Sequence, residues 1–550
     1  MSTQPTTNEA FLDLMQRAQL VDLTQPVSIF TPPWPHDKAL EVHFFKRVTG
    51  AFGGGQGANG QILNWSNTTG THLVGECAYN SAGRAIADIP LEDLSGSAVV
   101  VDISAHVSDY GIFTEDTIID NAPCPLNTGD ILIIHTGYHA HSWEKGADEF
   151  GFLVRHPGPS MSFFRWAMQM KFKWIGIDCG CIEHPMATPI RNWHPMDFEK
   201  AQAKITADTG KSYDEHFPPG EYYELLHLAC PKAGMVYVES LGGDIAKVKG
   251  QRLWVTCGAI PFMEVENAWA RVIGYLPPDG MPLDDFLATM AQMRQVDLTA
   301  PFSVRTPQWL NYKPLRVEYH KRVGGQHFGM GRNASTCEAS IHLATHMDGE
   351  KHFYPAGRTI GEVPIDEWCG PGVIADISDK VSNSSVYTPQ MIHDAVDIRQ
   401  GDILVIKTGW NRFAWNAPES DEFRYMVKHP GPSPDFAQWA LDMKIRWIGV
   451  DAVSADHPMN TIMRLWHPKT FAEANQKLIE QLGGDWDALY PLDEFYQVMH
   501  LKLFPKQLVH AENLAGAIHT LPSGRYYIGC FLARAMEAES MWGRFVAWSL

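Results

Sequence analysis

"HPGPSMSFFRWAMQMKFKWIGID" (156–178) returns as "HPGPSPDFAQWALDMKIRWIGVD" (429–451) in the same 550-residue chain. Working outward, "GDILIIHTGY" (129–138) pairs with "GDILVIKTGW" (401–410), and "EHPMATPIRNWHP" (183–195) with "DHPMNTIMRLWHP" (456–468). Near each start, "VDLTQPVSIFTPPW" (21–34) pairs with "VDLTAPFSVRTPQW" (296–309). The order is kept and the offset stays close to 273 residues. That period is too long for a solenoid and points to a duplicated domain. A chain of 550 residues also exceeds one ordinary core. Pro, Gly and Asp in "GYLPPDGMPLDD" (274–285) mark the join, which gives expected domains 1–277 and 278–550.

Each copy reads as mixed α/β. "DILVIKTG" and "RWIGVDA" are short β-rich apolar runs suited to buried strands. Between them, Ser433 and Pro434 have the chemistry of an N-cap and a first helical residue. Phe436, Trp439, Ala440 and Met443 follow at i, i+3, i+4 and i+7, one apolar face of a helix. Phe163, Trp166, Ala167 and Met170 repeat it, so these aromatics are expected in the core.

The formal charge of −19 argues against a nucleic-acid binder, which needs a basic face. No basic segment followed by an apolar run opens the chain, and no run is long enough to span a membrane. Nine scattered Cys suit a reduced, cytoplasmic setting better than a disulfide framework. Cys179 and Cys181 form a C-x-C with no second pair to complete a zinc site, so a structural role is expected. Gly-rich "AFGGGQGANG" (51–60) lacks the G-K-[ST] ending of a phosphate loop and reads as a flexible loop near a pocket.

Chemistry concentrates in "IHLATHMDGEKHF" (341–353). Imidazoles with a carboxylate suit a borderline divalent ion such as Zn²⁺, or Mn²⁺ where oxygen dominates. His342 and His346 would share a face on a helical turn. Asp348 reaches the same ion if the chain then extends, and Gly349 permits the turn. His352 stands further on, as a ligand or as an acid/base. Leu343 occupies the place where the zincin motif needs Glu.

The segment resembles the signature of the metal-dependent cyclase and kynurenine formamidase family, which includes isatin hydrolase: H-x-G-T-H-x-D-x-P-x-H. His342, Thr345, His346, Asp348 and His352 match it. Ala344 and Glu350 depart, at positions that shape the backbone. "MHLKLFPKQLVHAENL" supplies the family's distal pair, His500 and Glu512. The "DLT" opening, "GDILVIKTG" and "GVDAVSADHP" extend the resemblance over each half. It implies a cyclase-like (swivelling β/β/α) domain in each copy. It also implies that His342, His346 and Asp348 hold one Zn²⁺ or Mn²⁺ ion. Asp348 would bridge to a second ion on His500 and Glu512, with His352 as the acid/base.

In the first copy, "TTGTHLVGECAYN" (68–80) keeps His72 but has Thr68, Val74 and Ala78 for His342, Asp348 and His352. His227 and Glu239 keep the distal pair. Three ligands can suffice for one ion, but the acid/base is gone, so this half is expected to be catalytically silent. The family's oligomeric habit implies an internal pseudo-dimer in which the silent half shapes the other's pocket; further oligomerisation stays open. Trp309, with its counterpart Trp34, is a candidate pocket residue. The expected activity is hydrolysis of an amide, cyclic imide or lactone in a small substrate by metal-activated water. The alternatives are a metal-dependent cyclase or lyase, and a metal-bound binding protein without turnover.

Overall fold

The computed structural model describes residues 7–48, 57–218, 225–309, 312–324, 331–491 and 496–550. The Gly-rich stretch therefore lies outside the described residues up to position 56.

Each copy closes a seven-stranded barrel. In the first, the ring runs Asn267–Leu276, Gln251–Ala259, Ser95–Asp102, Ile131–His135, Trp174–Ile177, Val236–Glu239 and His72–Val74, and returns to Asn267–Leu276. In the second it runs Ser540–Ser549, Gly524–Leu532, Gly370–Asp376, Ile403–Lys407, Trp447–Val450, Val509–Glu512 and His346–Asp348, and closes again. Four neighbouring strands of each ring are parallel. Ile403–Lys407 and Trp447–Val450 are buried at every position, as apolar runs covered on both faces should be.

The helix expected after residue 432 spans Phe436–Asp442, with Asp435 at its N-cap. Ser433 does not cap it; its hydroxyl donates to the Asp435 carboxylate instead. In the first copy no acid follows, and Ser160 does accept from the Phe163 amide at 3.2 Å. The apolar face is as expected: Phe436 and Ala440 are buried, and Trp439 and Met443 pack against the same core.

The halves exchange elements. Asn8–Arg17 packs on Gly370–Asp376 and Gly524–Leu532 of the second barrel. Its counterpart Leu283–Gln292 packs on Gln251–Ala259 and Ser95–Asp102 of the first. Phe11, Leu12, Leu14 and Met15 form its buried stripe. Strands Gly60–Ser66 and Ala334–Ser340 pair antiparallel across the halves, so one four-stranded sheet belongs to both. A single apolar core runs through the two barrels, with Trp65, Trp269 and Trp542 in contact between them. This is the tandem pseudo-dimer that the duplication implies. No disulfide joins any of the nine cysteines. Among the described residues no helix is long and apolar enough to cross a membrane.

Candidate metal centre

In the second barrel, the three-residue strand His346–Asp348 lies between Val509–Glu512 and Ser540–Ser549. Its register sets His346 opposite Glu512 and Asp348 opposite His510. Side chains two apart on a strand share a face, so His346 with Asp348, and His510 with Glu512, point to one side. The segment before it is not the helical turn expected. Residues 342–345 bend, and Ala344 takes φ +49°. Gly70 holds the equivalent place in the first copy at φ +70°, which explains why the family pattern has Gly here.

Asp348 is the centre of the arrangement and is 1% exposed. Its Oδ1 stands 2.7 Å from His342 Nδ1 and 3.2 Å from His346 Nε2. Its Oδ2 stands 3.4 Å from both His500 Nε2 and His510 Nε2. Donor atoms of Asp348, His500, His510 and Glu512 lie within 4.8 Å of one another, as do those of His342, Asp348 and His352. The structure thus brings together every residue singled out in this segment and the distal pair. It also adds His510, Glu539 and Asp456.

Glu539 joins the cluster from the loop before Ser540–Ser549. Its carboxylate is 2.9 Å from His342 Nε2 and 3.2 Å from His352 Nδ1. Asp456 accepts from His500 Nδ1 at 2.6 Å, which turns Nε2 toward Asp348. The Ala344 carbonyl accepts from His346 Nδ1 at 3.0 Å with the same effect. The alternating "HAE" of 510–512 was a readable signal for His510; nothing near the motif announced Glu539. Glu350, at the family's Pro position, is buried and paired with Arg358.

His352 follows Gly349 on a single 3-10 turn. Its Nδ1 donates to the Asn59 carbonyl at 2.7 Å, a contact from the other half. Burial and the neighbouring His342 hold its pKa below the usual imidazole value. Burial also works against charge on His342 and His500, yet adjacent carboxylates raise both to about 10. Burial and the nearby Asp348 push Glu512 up to about 7. Carboxylates crowded among imidazoles at such depth call for a cation. Neither nitrogen of His510, nor Nε2 of His346, has a hydrogen-bond partner. Buried imidazole nitrogens without hydrogen-bond partners, set among carboxylates, fit a divalent ion of the Zn²⁺ or Mn²⁺ kind.

A cavity opens over the cluster, lined also by Trp309, Tyr312, Val453 and Gln497. In the first barrel, Trp34, Thr68, His72, His227 and Glu239 line a smaller cavity. Val74 and Ala78 offer no donor there, and the Thr68 hydroxyl donates to Asp37 at 2.9 Å.

The chain belongs to the cyclase family. The family described as putative cyclase matches residues 21–184 and 296–457, once in each copy and more than half the chain together. Within a chain of that family, the clustered donors stand as a candidate metal centre. A kynurenine formamidase of Paracidovorax citrulli (strain AAC00-1) is 33% identical over 75 residues, 14% of this chain. The chain spans 33% of the length of that relative. Isatin hydrolase A of Labrenzia aggregata, bound to benzyl benzoate, is 19% identical at TM-score 0.38, over 48% of this chain and 98% of that one. Isatin hydrolase A of Ralstonia solanacearum is 16% identical at TM-score 0.38, over 50% and 99%.

Proposed function

We propose that the chain hydrolyses an amide, cyclic imide or lactone bond of a small substrate at one centre, in its second half. The observation that carries this reading is the two-sided Asp348 carboxylate, with imidazoles at 2.7 and 3.2 Å on one oxygen and at 3.4 Å on the other. His342, His346, Asp348, His500 and Glu512 would hold the metal, with His510 beside them. A bound divalent ion supplies a water of lowered pKa and polarises the scissile carbonyl.

His352 is the acid/base. Its proton sits on Nδ1, held by Asn59 and Glu539, so Nε2 carries the lone pair. Nε2 takes the proton of the attacking water and passes it to the leaving nitrogen or oxygen. Glu539, 3.2 Å away, favours the imidazolium formed in between. Trp309 and Tyr312 offer flat apolar walls for an aromatic or cyclic substrate.

The test is turnover of a small panel by protein loaded with Zn²⁺ or Mn²⁺: an aryl formamide, isatin and an aryl lactone. New carboxylate, with amine where the bond is an amide, is expected from at least one member. The same donors can stabilise an enolate, which is the cyclase or lyase alternative. A product formed by loss of water, with no solvent oxygen incorporated, would favour it and sink hydrolysis.

A further inference from the structure

The first barrel has lost the bridging carboxylate, yet its cavity is not stripped of donors. Cys181 stands where the second copy has Ser454, and both line the corresponding cavities. The correspondence extends to the backbone: the Glu183 amide donates to Cys181 Sγ at 3.4 Å, as the Asp456 amide donates to Ser454 Oγ at 3.2 Å. Donor atoms of Cys181, His227 and Glu239 lie within 4.8 Å of one another, and all three residues are buried.

His72 is the second observation. It is 1% exposed, and its Nδ1 donates to the Gly70 carbonyl at 2.8 Å. The other nitrogen, Nε2, has no hydrogen-bond partner and faces Glu239 Oε2 at 3.4 Å. A lone pair aimed at a carboxylate is repulsive unless a cation stands between them. His227 stands between two carboxylates, with Nε2 3.2 Å from Glu239 and Nδ1, which lacks a hydrogen-bond partner, 3.3 Å from Glu183. Arg332, from the other half, lines the same cavity, but Asp37 at 3.8 Å balances its charge on the far side.

We infer that the first half holds a metal site of its own, of different chemistry from the second: one Zn²⁺ bound by Cys181, His227 and Glu239, with His72 as the fourth donor. Thiolate with imidazole favours zinc over harder ions, and tetrahedral zinc takes four such ligands. Binding breaks the Cys181 S–H bond, forms a sulfur–zinc bond and releases one proton to solvent. Ala78 replaces the proton-transfer group beside this ion, so the site ties strands His72–Val74 and Val236–Glu239 to the 179–183 loop rather than turning over substrate. The inference stands apart from the reaction assigned to the second half.

The full-length chain, stripped of metal and titrated with Co²⁺ as probe, tests it. Wild type and Asp348→Asn should both develop the near-ultraviolet band of a thiolate–cobalt bond. Cys181→Ser should lose that band and a full metal equivalent while keeping wild-type turnover. Cys179→Ser should keep the band. Zinc K-edge absorption on the wild type needs no variant and should show one sulfur at about 2.3 Å. A band that survives Cys181→Ser, or zinc with only nitrogen and oxygen neighbours, would overturn the site.

Discussion

His352 Nδ1 donates to the backbone carbonyl of Asn59, 2.7 Å away in space and 293 positions away in sequence. Asn59 also takes the His352 carbonyl on its own amide at 2.7 Å, and its side chain donates to the Lys351 carbonyl at 2.6 Å. Asn333 holds the Cys77 and Ala78 carbonyls in the same way, at 2.6 Å each. Each half therefore grips the other's ligand turn, but only one grip holds a histidine.

Asn59→Ala removes the side-chain clamp while leaving the backbone contact possible. A buried hydrogen bond left unmade costs about 1–3 kcal/mol. The expected result is a fall in kcat of about tenfold with metal content unchanged. Asn333→Ala should leave kcat alone. Steady-state kinetics beside elemental analysis distinguish the two, and equal effects would remove the asymmetry.

Ala344 adopts φ +49°, a conformation that costs a residue with a Cβ about 1–2 kcal/mol. Ala344→Gly should therefore stabilise the chain by about 1 kcal/mol, after glycine's own entropy cost is deducted. Denaturant unfolding reads it. A destabilised variant would mean that the Ala344 methyl contributes packing beyond its strain.

Four histidines of the repeated "HPGP" and "HPM" motifs make stability fall in acid. Burial pushes His156 and His429 down to about 4, and His184 and His457 down to about 3. The unfolded chain takes up these protons near pH 6.5, whereas the folded chain resists until pH 3–4. Between those limits the unfolded state binds more protons, so stability rises with pH and is lost on acidification below 6.5. Each group contributes about 1.4 kcal/mol per pH unit in that window. His457→Gln should flatten the curve of unfolding midpoint against pH between 6.5 and 4; an unchanged slope would count against the buried neutral imidazole.

The exchanged helix makes a prediction about place. Leu14 belongs to the first copy by sequence but is buried where Asn8–Arg17 packs on the second barrel. Leu14→Ala should cost about 2–5 kcal/mol. Amide exchange should quicken first in Gly370–Asp376 and Gly524–Leu532, not in the strands of the copy that carries the mutation.

Much of this was legible because duplication doubles every signal. Asp348 and its neighbours could be gathered from one stretch because their donors stand close together in sequence, although the helical turn expected there is a bend leading into a strand. Glu539 could not, since it arrives from a turn nearly 200 positions later, through barrel closure. The misplaced cap at Ser433 has a local cause: Asp435 captures the hydroxyl that Ser160 is free to turn onto its helix. The helix exchange left no trace in periodicity, because an amphipathic stripe does not say which barrel it covers. Cys181 looked like half of an incomplete zinc motif, and only folding sets it beside His227 and Glu239.

The most direct test of the account compares substrate turnover by Asp348→Asn and Glu239→Gln, each loaded with metal and checked for folding. The account predicts that Asp348→Asn abolishes turnover and Glu239→Gln retains it. Turnover lost with Glu239→Gln but kept with Asp348→Asn would place the chemistry in the wrong half.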